Sequence, residues 1–289
     1  MLKTTSRMLL TGALGLAVAG GAQAQDDTIE FGWTAWSDAE FVTKLAARLI
    51  NDNTDYTAEL VQTDIAPQYQ GLETGDIDAM MMAWLPATHE DYYEEVASDV
   101  ENLGVLYNGA RLGWAVPTYI PEDELSSLAD LSDEAVRAEL DGTITGIDPG
   151  AGLTSLSEQA LETYDLDEYT LQTSSGAGMT AALERAVGRD DWIVVTGWSP
   201  HWKFGAYDLR YLEDPEGALG GPERVHVLAR AGFDADYPEI SAMLTRMYLP
   251  IDQLQNYMFQ ARETSYDEAI SAYIEENPDR VEYWLNGEL

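Results

Sequence analysis

Short apolar runs of strand character alternate with amphipathic helical segments along most of this chain. Thr28–Trp33 has the alternation of a strand, and the apolar spacing that follows Ser37 predicts a helix. Residues 77–84 are apolar enough for a strand buried on both faces, and residues 154–164 again have helical spacing. This regular exchange of strand and helix predicts an α/β fold built on mostly parallel sheets.

The segment at residues 192–204 indicates where the functional residues of such a fold would lie. Residues 193–195 are β-branched and apolar, which predicts a short buried strand. Ser199 followed by Pro200 predicts a helix N-cap with proline in the first helical position. Trp198 is therefore expected at a strand-to-helix crossing, where open α/β sheets have their ligand crevices.

Two further tryptophans occupy the same kind of position. Trp36 precedes the helix predicted from Ser37, and Trp84 ends the strand predicted at residues 77–84. Together with Trp198 they can present π faces to a cation that donates no hydrogen bond, as in aromatic cages for quaternary ammonium groups. The alternatives are that each ring fills the core above its strand, that the three rings line an ordinary apolar cleft, or that they form platforms for a sugar.

A glycine-containing helix start is the second candidate feature. Gly152 and Leu153 stand immediately before the helix predicted from Thr154, where glycine permits close approach and free amides can accept an anion. His89, at another predicted helix start, can donate to the same anion. A plain turn and a surface or core histidine are the simpler interpretations of these residues. In combination with the tryptophans, they predict a cavity for a small zwitterion.

The composition is strongly acidic. The chain has 52 acidic and 15 basic residues, a net charge of −37, and its acidic residues are spread along the sequence. With a normal aromatic content, this predicts a folded protein with an acidic surface, adapted to high salt that screens self-repulsion. Nucleic acid and anionic membranes are disfavoured as partners. The absence of cysteine excludes disulfides, thiolate metal sites and a cysteine nucleophile, and we expect no cofactor.

The first 24 residues have the organisation of a secretory signal peptide. Lys3 and Arg7 supply a positive start, residues 8–19 form an apolar stretch, and residues 22–24 form a small-residue cleavage site. The apolar stretch is shorter than the ~20 residues of a membrane-spanning helix. We therefore expect a soluble, exported protein, with no cysteine available for a lipid anchor.

Three motifs resemble those of the glycine betaine-binding proteins of ABC importers. They are Trp84-Leu-Pro-Ala-Thr-His89, Gly146-Ile-Asp-Pro-Gly-Ala-Gly152 and Thr196-Gly-Trp-Ser-Pro-His-Trp202. The resemblance spans nearly all of the chain beyond the leader. It implies the type II periplasmic-binding-protein fold, in which two α/β lobes close on a ligand in the cleft between them. It also implies an inner-membrane permease and its ATPase as partners, and we expect a monomer in the periplasm.

The same resemblance gives each candidate residue a role toward a betaine ligand. Three rings would form a box around its cation, while two amides and an imidazole would bind its carboxylate. The ring residues are Trp36, Trp84 and Trp198, and the carboxylate-binding residues are Gly152, Leu153 and His89.

Two strand-like connections, near residues 113–120 and 224–230, are candidate crossings between the lobes. They predict a first lobe formed by residues 26–116 together with 229–289. Residues 117–228 then form the second lobe. The ligand is expected in the cleft between the two.

Some assignments stay open at the level of sequence. Trp33 could replace Trp36 in the box if the first strand ended earlier. Related choline-binding proteins often have an aspartate shortly after their first tryptophan. Asp38 has this position, but it lies in the predicted capping turn and is interpreted as structural. Trp114 is predicted to be a core or hinge residue, and His201 a packing or surface residue.

Other functions are compatible with parts of this sequence. A binding protein of the same fold could take choline, carnitine, ectoine or a sugar. An enzyme is the alternative of a different class, but Ser199 lacks the following glycine of a nucleophile elbow. Carboxylate pairs are too frequent in this chain for a glycosidase pair to be identified by spacing. We therefore expect no catalytic residue.

The acidic surface leads to a first prediction, that the melting temperature rises with NaCl into the molar range. Added salt shortens the Debye length from ~10 Å at 0.1 M to ~3 Å at 1 M, which weakens repulsion among the acidic side chains. Thermal melts at about 0.1, 1 and 3 M NaCl measure the effect. A flat or falling melting temperature would contradict the interpretation of the charge as an adaptation to salt.

Overall fold

The computed structural model describes residues 27–288 of the chain. The predicted leader, residues 1–24, lies outside these residues. Within the described part, no helix has both the length and the apolar character needed to cross a membrane.

The strands of residues 27–288 form one continuous nine-stranded sheet. In chain order they are β1 (Thr28–Trp33), β2 (Thr57–Gln62), β3 (Ala79–Leu85), β4 (Val100–Pro117), β5 (Thr143–Thr145), β6 (Thr170–Gln172), β7 (Val194–Ser199), β8 (Leu209–Tyr211) and β9 (Glu223–Arg230). Their order across the sheet is β2-β1-β3-β9-β4-β7-β5-β6, and β8 pairs with β4 beside this path.

The sheet is mixed in direction, so the prediction of mostly parallel sheets is wrong. β1 is parallel to β2 and β3, and β5 is parallel to β6 and β7. Every pair made by the long strands β4 and β9 is antiparallel. Apolar periodicity reports which faces of a strand are buried but carries no information on its direction, which the long-range topology decides.

The sheet has a first half, formed by β2, β1, β3 and β9, and a second half, formed by β7, β5, β6 and β8. β4 belongs to both halves. It pairs with β9 as far as Ala110 and with β7 from Arg111 onward. Its ladder with β9 has register irregularities between residues 102 and 104, 105 and 107, and 108 and 110. Bulges of this kind bend a strand and increase its twist, so β4 bends as it approaches the second half of the sheet.

The helices lie against the sheet and against one another. In chain order they are α1 (Ser37–Asn53), α2 (Ile65–Thr74), α3 (Glu90–Val96), α4 (Glu134–Glu139), α5 (Gly152–Thr163), α6 (Gly176–Val187), α7 (Lys203–Ala206), α8 (Phe233–Asp236), α9 (Pro238–Arg246), α10 (Ile251–Glu263), α11 (Tyr266–Glu276) and α12 (Pro278–Asn286). A 3₁₀ turn, Leu128–Ser132, precedes α4.

The ends of two helices show how local sequence sets their bounds. α1 begins at Ser37 as predicted, but its cap residue is Trp36; among the described residues no side chain caps the helix, and the buried Ser37 hydroxyl has no hydrogen-bond partner. α2 ends at Thr74 and is followed by Gly75, whose left-handed φ of 81° explains the residue type.

The predicted N-cap at Ser199 and Pro200 is wrong. β7 continues through Ser199, whose hydroxyl shares a hydrogen bond of 2.8 Å with the hydroxyl of Tyr211 on β8. The next helix, α7, begins only at Lys203. Trp198 nevertheless lies near the carboxyl end of its strand, as predicted.

Two hydrophobic cores stabilise the described chain. The smaller core lies in the second half of the sheet and contains Trp114, Leu128 and Ile144. The Trp114 indole is fully buried and donates to the hydroxyl of Ser157 at 2.9 Å, which confirms its prediction as a core residue. The larger core surrounds Phe31 in the first half and continues through the site tryptophans into residues of the second half.

Candidate functional site

A cavity lies between the two halves of the sheet, beside the carboxyl ends of β1, β3 and β7 and the N-terminus of α5. The lining residues, mostly apolar or aromatic, are Trp36, Asp38, Trp84, Thr88, His89, Leu112, Ile147, Ala151, Gly152, Leu153 and Trp198. All six residues that the sequence singled out for the site are among them.

Trp36 connects the first half of the molecule to the second. Its indole Nε1 donates to Oδ2 of Asp148, in the loop before α5, at 2.9 Å. Trp33, the alternative considered from sequence, ends β1 and is not among the residues that line the cavity. Its ring lies instead 5.6 Å from the Lys44 ammonium. Trp36 is thus the tryptophan of this segment that forms the cavity wall.

Trp198 makes the corresponding bond in the opposite direction. Its Nε1 donates to Oδ1 of Asp38 in the first turn of α1 at 2.9 Å, and Oδ2 of Asp38 accepts from the Tyr107 hydroxyl at 2.7 Å. Burial raises the pKa of Asp38 above its ordinary value, and the hydrogen bonds from Tyr107 and Trp198 offset part of that rise. The bound donors and the position at a helix N-terminus favour the ionised carboxylate.

These two indole–carboxylate bonds determine what the tryptophans offer to the cavity. The ring centroids of Trp36 and Trp198 are 6.4 Å apart and the rings are inclined by 60°. Both N–H groups are already engaged, so these rings contribute π surface without a free donor. Trp84, in β3 and 3% exposed, adds a third ring to the same lining.

His89 is held as a neutral donor. Its Nδ1 accepts the backbone N–H of Trp84 at 3.2 Å, which places the ring proton on Nε2. Burial lowers the pKa of His89 to about 3. At neutral pH the imidazole therefore presents one N–H and no charge to the cavity.

The first turn of α5 supplies two free backbone amides. α5 begins at Gly152, two residues before its predicted start, so Gly152 and Leu153 are its first helical residues. Among the hydrogen bonds of residues 27–288, none uses the N–H of either residue. A Cβ added to Gly152 would lie 2.0 Å from the carbonyl oxygen of Thr88, so this close approach requires glycine.

Three charged residues around the site were misjudged or overlooked. Asp38, predicted to be only structural, also lines the cavity. Asp148 lies in the second of the three motifs, but the sequence analysis assigns it no role in the site. Lys203 is fully buried against Trp198. Its position between two aromatic residues, in a chain with only three lysines, is the sequence feature that could have indicated its burial. His201 packs 4.5 Å from Trp198, as the packing interpretation predicted.

The cavity combines π surface, two free amides and one neutral imidazole N–H. Among the described residues, no group of three or more His, Cys, Asp or Glu side chains could hold a metal ion. The cleft position and the donor set are those of a two-lobe α/β binding protein for a small ligand.

The chain belongs to the family described as the substrate-binding domain of ABC-type glycine betaine transport systems, whose model matches residues 27–276. This result confirms the resemblance inferred from the three motifs.

Individual relatives are similar at the level of sequence and of fold. The glycine betaine/carnitine transport binding protein GbuC of Listeria monocytogenes is 37% identical over 152 residues, which are 52% of this chain and 51% of that protein. The chain therefore matches about half the length of this relative.

Solved structures cover more of the chain. Lactococcal OpuAC in its closed conformation with glycine betaine is 31% identical, with a TM-score of 0.83 over 90% of this chain and 99% of that one. An ABC-transporter choline-binding protein in complex with choline is 27% identical, with a TM-score of 0.82 over 91% and 92% of the two chains. The predicted two-lobe α/β fold is thereby confirmed.

The burial of the histidines gives a prediction for NMR. Burial lowers the pKa of His89 to about 3 and that of His201 well below its ordinary value, so neither ring should titrate between about pH 5 and pH 8. The half-exposed His226 should titrate at higher pH than both. Long-range ¹H–¹⁵N spectra of the imidazoles measure all three. A His89 midpoint above about pH 5 would contradict a buried, neutral ring.

Proposed function

We propose that this protein binds glycine betaine in the cleft and delivers it to an ABC permease. The observation that carries the proposal is the division of the cavity into two chemically different parts. One part is the π surface of Trp36, Trp84 and Trp198, and the other is the pair of free amides at Gly152 and Leu153.

The aromatic part suits a quaternary ammonium group. Such a cation has no N–H to donate, so it is best stabilised by π faces rather than by acceptors. The N–H groups of Trp36 and Trp198 are engaged by Asp148 and Asp38, which leaves their rings as an apolar, electron-rich wall. A desolvated contact of this kind contributes ~2 kcal/mol.

The amide part suits a carboxylate. The N–H groups of Gly152 and Leu153 lie at the positive end of α5, a helix of 12 residues. The Nε2–H of His89 is a third donor on the same lining. Hydrogen bonds to a charged group contribute ~1.5–3 kcal/mol each, which would favour a zwitterionic betaine over choline.

The lobes we propose are residues 26–116 with 229–289, and residues 117–228. The strand pairing supports two crossings near these bounds, one at the step from Ala110 to Arg111 in β4 and one just before β9, since β9 pairs with β3 and β4 from Glu223 onward. In this proposal a betaine closes the lobes over itself, and the closed monomer docks on an inner-membrane permease with its ATPase. A leader at residues 1–24 and the acidic composition support a place in the periplasm, in a salty exterior.

Choline is the second candidate ligand. The observation that favours it is the Asp38 carboxylate on the cavity lining, which would attract a net cation. A structural relative was solved in complex with choline. The free amides, which would have no anionic group to bind in choline, favour betaine over this candidate.

Substitution of the cage tests the cation-binding part. Trp84→Ala should weaken glycine betaine binding about thirtyfold, and Trp84→Phe should weaken it less, because the phenyl ring retains part of the π surface. Calorimetric titration measures both, with Trp192→Ala as the control, since this half-buried ring lies outside the cavity. Parent-like affinity of Trp84→Ala would contradict the proposed cage.

Substitution at the start of α5 tests the carboxylate-binding part. Gly152→Ala should weaken betaine binding at least about tenfold, because the added Cβ meets the carbonyl of Thr88 and separates the two walls. Gly150→Ala is the matched control, since a Cβ there meets no atom within 4 Å.

The parent protein should bind betaine at least about tenfold more tightly than choline in the same titrations. Equal losses in Gly152→Ala and Gly150→Ala would contradict this geometry. Equal affinity for the two ligands would move the assignment to a choline or broad-specificity binding protein.

A further inference from the structure

The buried ammonium of Lys203 has no role in the site as described so far. Lys203 is the first residue of α7 and is 0% exposed, and its Nζ has no hydrogen-bond partner among the described residues. A lysine ammonium buried without a hydrogen bond is costly, because its hydration is lost without replacement. Its presence beside the cavity therefore requires an electrostatic explanation.

Lys203 and Asp38 contact the same indole from two directions. The Lys203 Nζ lies 4.4 Å from the ring centroid of Trp198, and the Asp38 carboxylate accepts the indole N–H at 2.9 Å. Trp198 and Asp38 line the cavity, while Lys203 lies behind the ring and outside the lining. One cavity wall thus contains a buried carboxyl group and, behind the same ring, a buried amino group.

Several titratable groups surround this wall. Burial lowers the pKa of Lys203 to about 7, and the Asp38 carboxylate raises it. The pKa of His201 in the preceding turn is lowered by burial and by Lys203, so this ring is uncharged. Further titratable or charged groups near α7 and the end of β7 include Tyr207, Tyr211 on β8, Arg111 on β4 and Arg262 on α10, together with Glu40 and Tyr266, which line a second pocket with Trp198 and Trp202.

We propose that Lys203 is the internal counter-charge of Asp38, and that this pair makes the cavity prefer a net-neutral zwitterion over a net cation. Lys203 is in this sense a specificity-determining residue that acts through Trp198 and Asp38 without touching the ligand. The inference rests on the proposed function, the binding of a quaternary amine in this cavity.

The preference follows from the net charge left in the closed cleft. With Lys203 protonated, Asp38 is balanced, so betaine leaves the region neutral and choline leaves it with one positive charge. With the lysine charge removed, choline neutralises Asp38 and betaine leaves one negative charge. Because a net charge in a buried region is penalised, the two ligands should respond to Lys203 in opposite directions.

The test is the ratio of the choline Kd to the betaine Kd in Lys203→Met, which removes the charge and keeps an unbranched side chain of similar length. We expect the ratio to fall about tenfold from the parent value. Lys44→Met is the matched control, because Lys44 is a partly exposed lysine that pairs with Glu40 and does not contact Trp198. Its ratio should equal that of the parent.

A pH series on the parent gives a second measurement that does not depend on the variant folding. Between about pH 6 and pH 8.5 the ratio should fall, because Lys203 loses its proton there and Asp38 loses its counter-charge. Burial raises the pKa of Tyr207 and of Tyr211, and arginines stay charged, so these groups do not titrate in this interval. In Lys203→Met the pH dependence of the ratio should disappear.

The outcomes separate this inference from the proposed function. If the parent binds betaine and choline but the ratio changes neither in Lys203→Met nor with pH, the role of Lys203 is overturned and the proposed function stands. An equal change in Lys44→Met would also overturn it, since the effect would then be one of overall charge. If the parent binds neither ligand, the proposed function fails and the inference fails with it.

Discussion

The geometry of the cleft depends on two hydrogen bonds between an indole N–H and a carboxylate on the other side. Trp36 donates to Asp148, and Trp198 donates to Asp38 in the reverse direction. Each bond fixes the orientation of a ring and brings the two walls together, and bonds to charged acceptors contribute ~1.5–3 kcal/mol. The position of the α5 amides against the loop of Thr88 depends on the same contact between the walls, because an open cleft would separate them.

Burial determines the charge state of nearly every polar group around this geometry. His89 and His201 are neutral because their rings are buried, and Nδ1 of each accepts a backbone N–H, so the other nitrogen carries the proton. Hydrogen bonds favour the ionised form of Asp38 against the burial that raises its pKa, and the Asp38 carboxylate in turn raises the pKa of Lys203. The cavity lining is therefore mostly apolar, but two buried groups that can carry charge lie in or behind one of its walls.

The sequence predicts the parts of the site that depend on local structure. A tryptophan at a strand end and a glycine at a helix start can be recognised within a few residues, and all six predicted residues line the cavity. Their roles toward a ligand stay predictions. The partner of Trp198 could not be predicted, because Asp38 is 160 residues away and only the fold brings them together. The prediction of mostly parallel strands is wrong for the same reason, because long-range topology decides strand direction. The prediction of an N-cap at Ser199 is wrong because β7 continues through this residue.

The passage of β4 through both halves of the sheet has a mechanical consequence. The two lobes share one continuous β-sheet and are not separate domains joined only by a flexible linker. Three irregularities precede the step from Ala110 to Arg111, so the strand is bent and twisted where the ladder changes partner. If the proposed lobes open and close, the change must therefore be accommodated as a change of twist over this short length of β4.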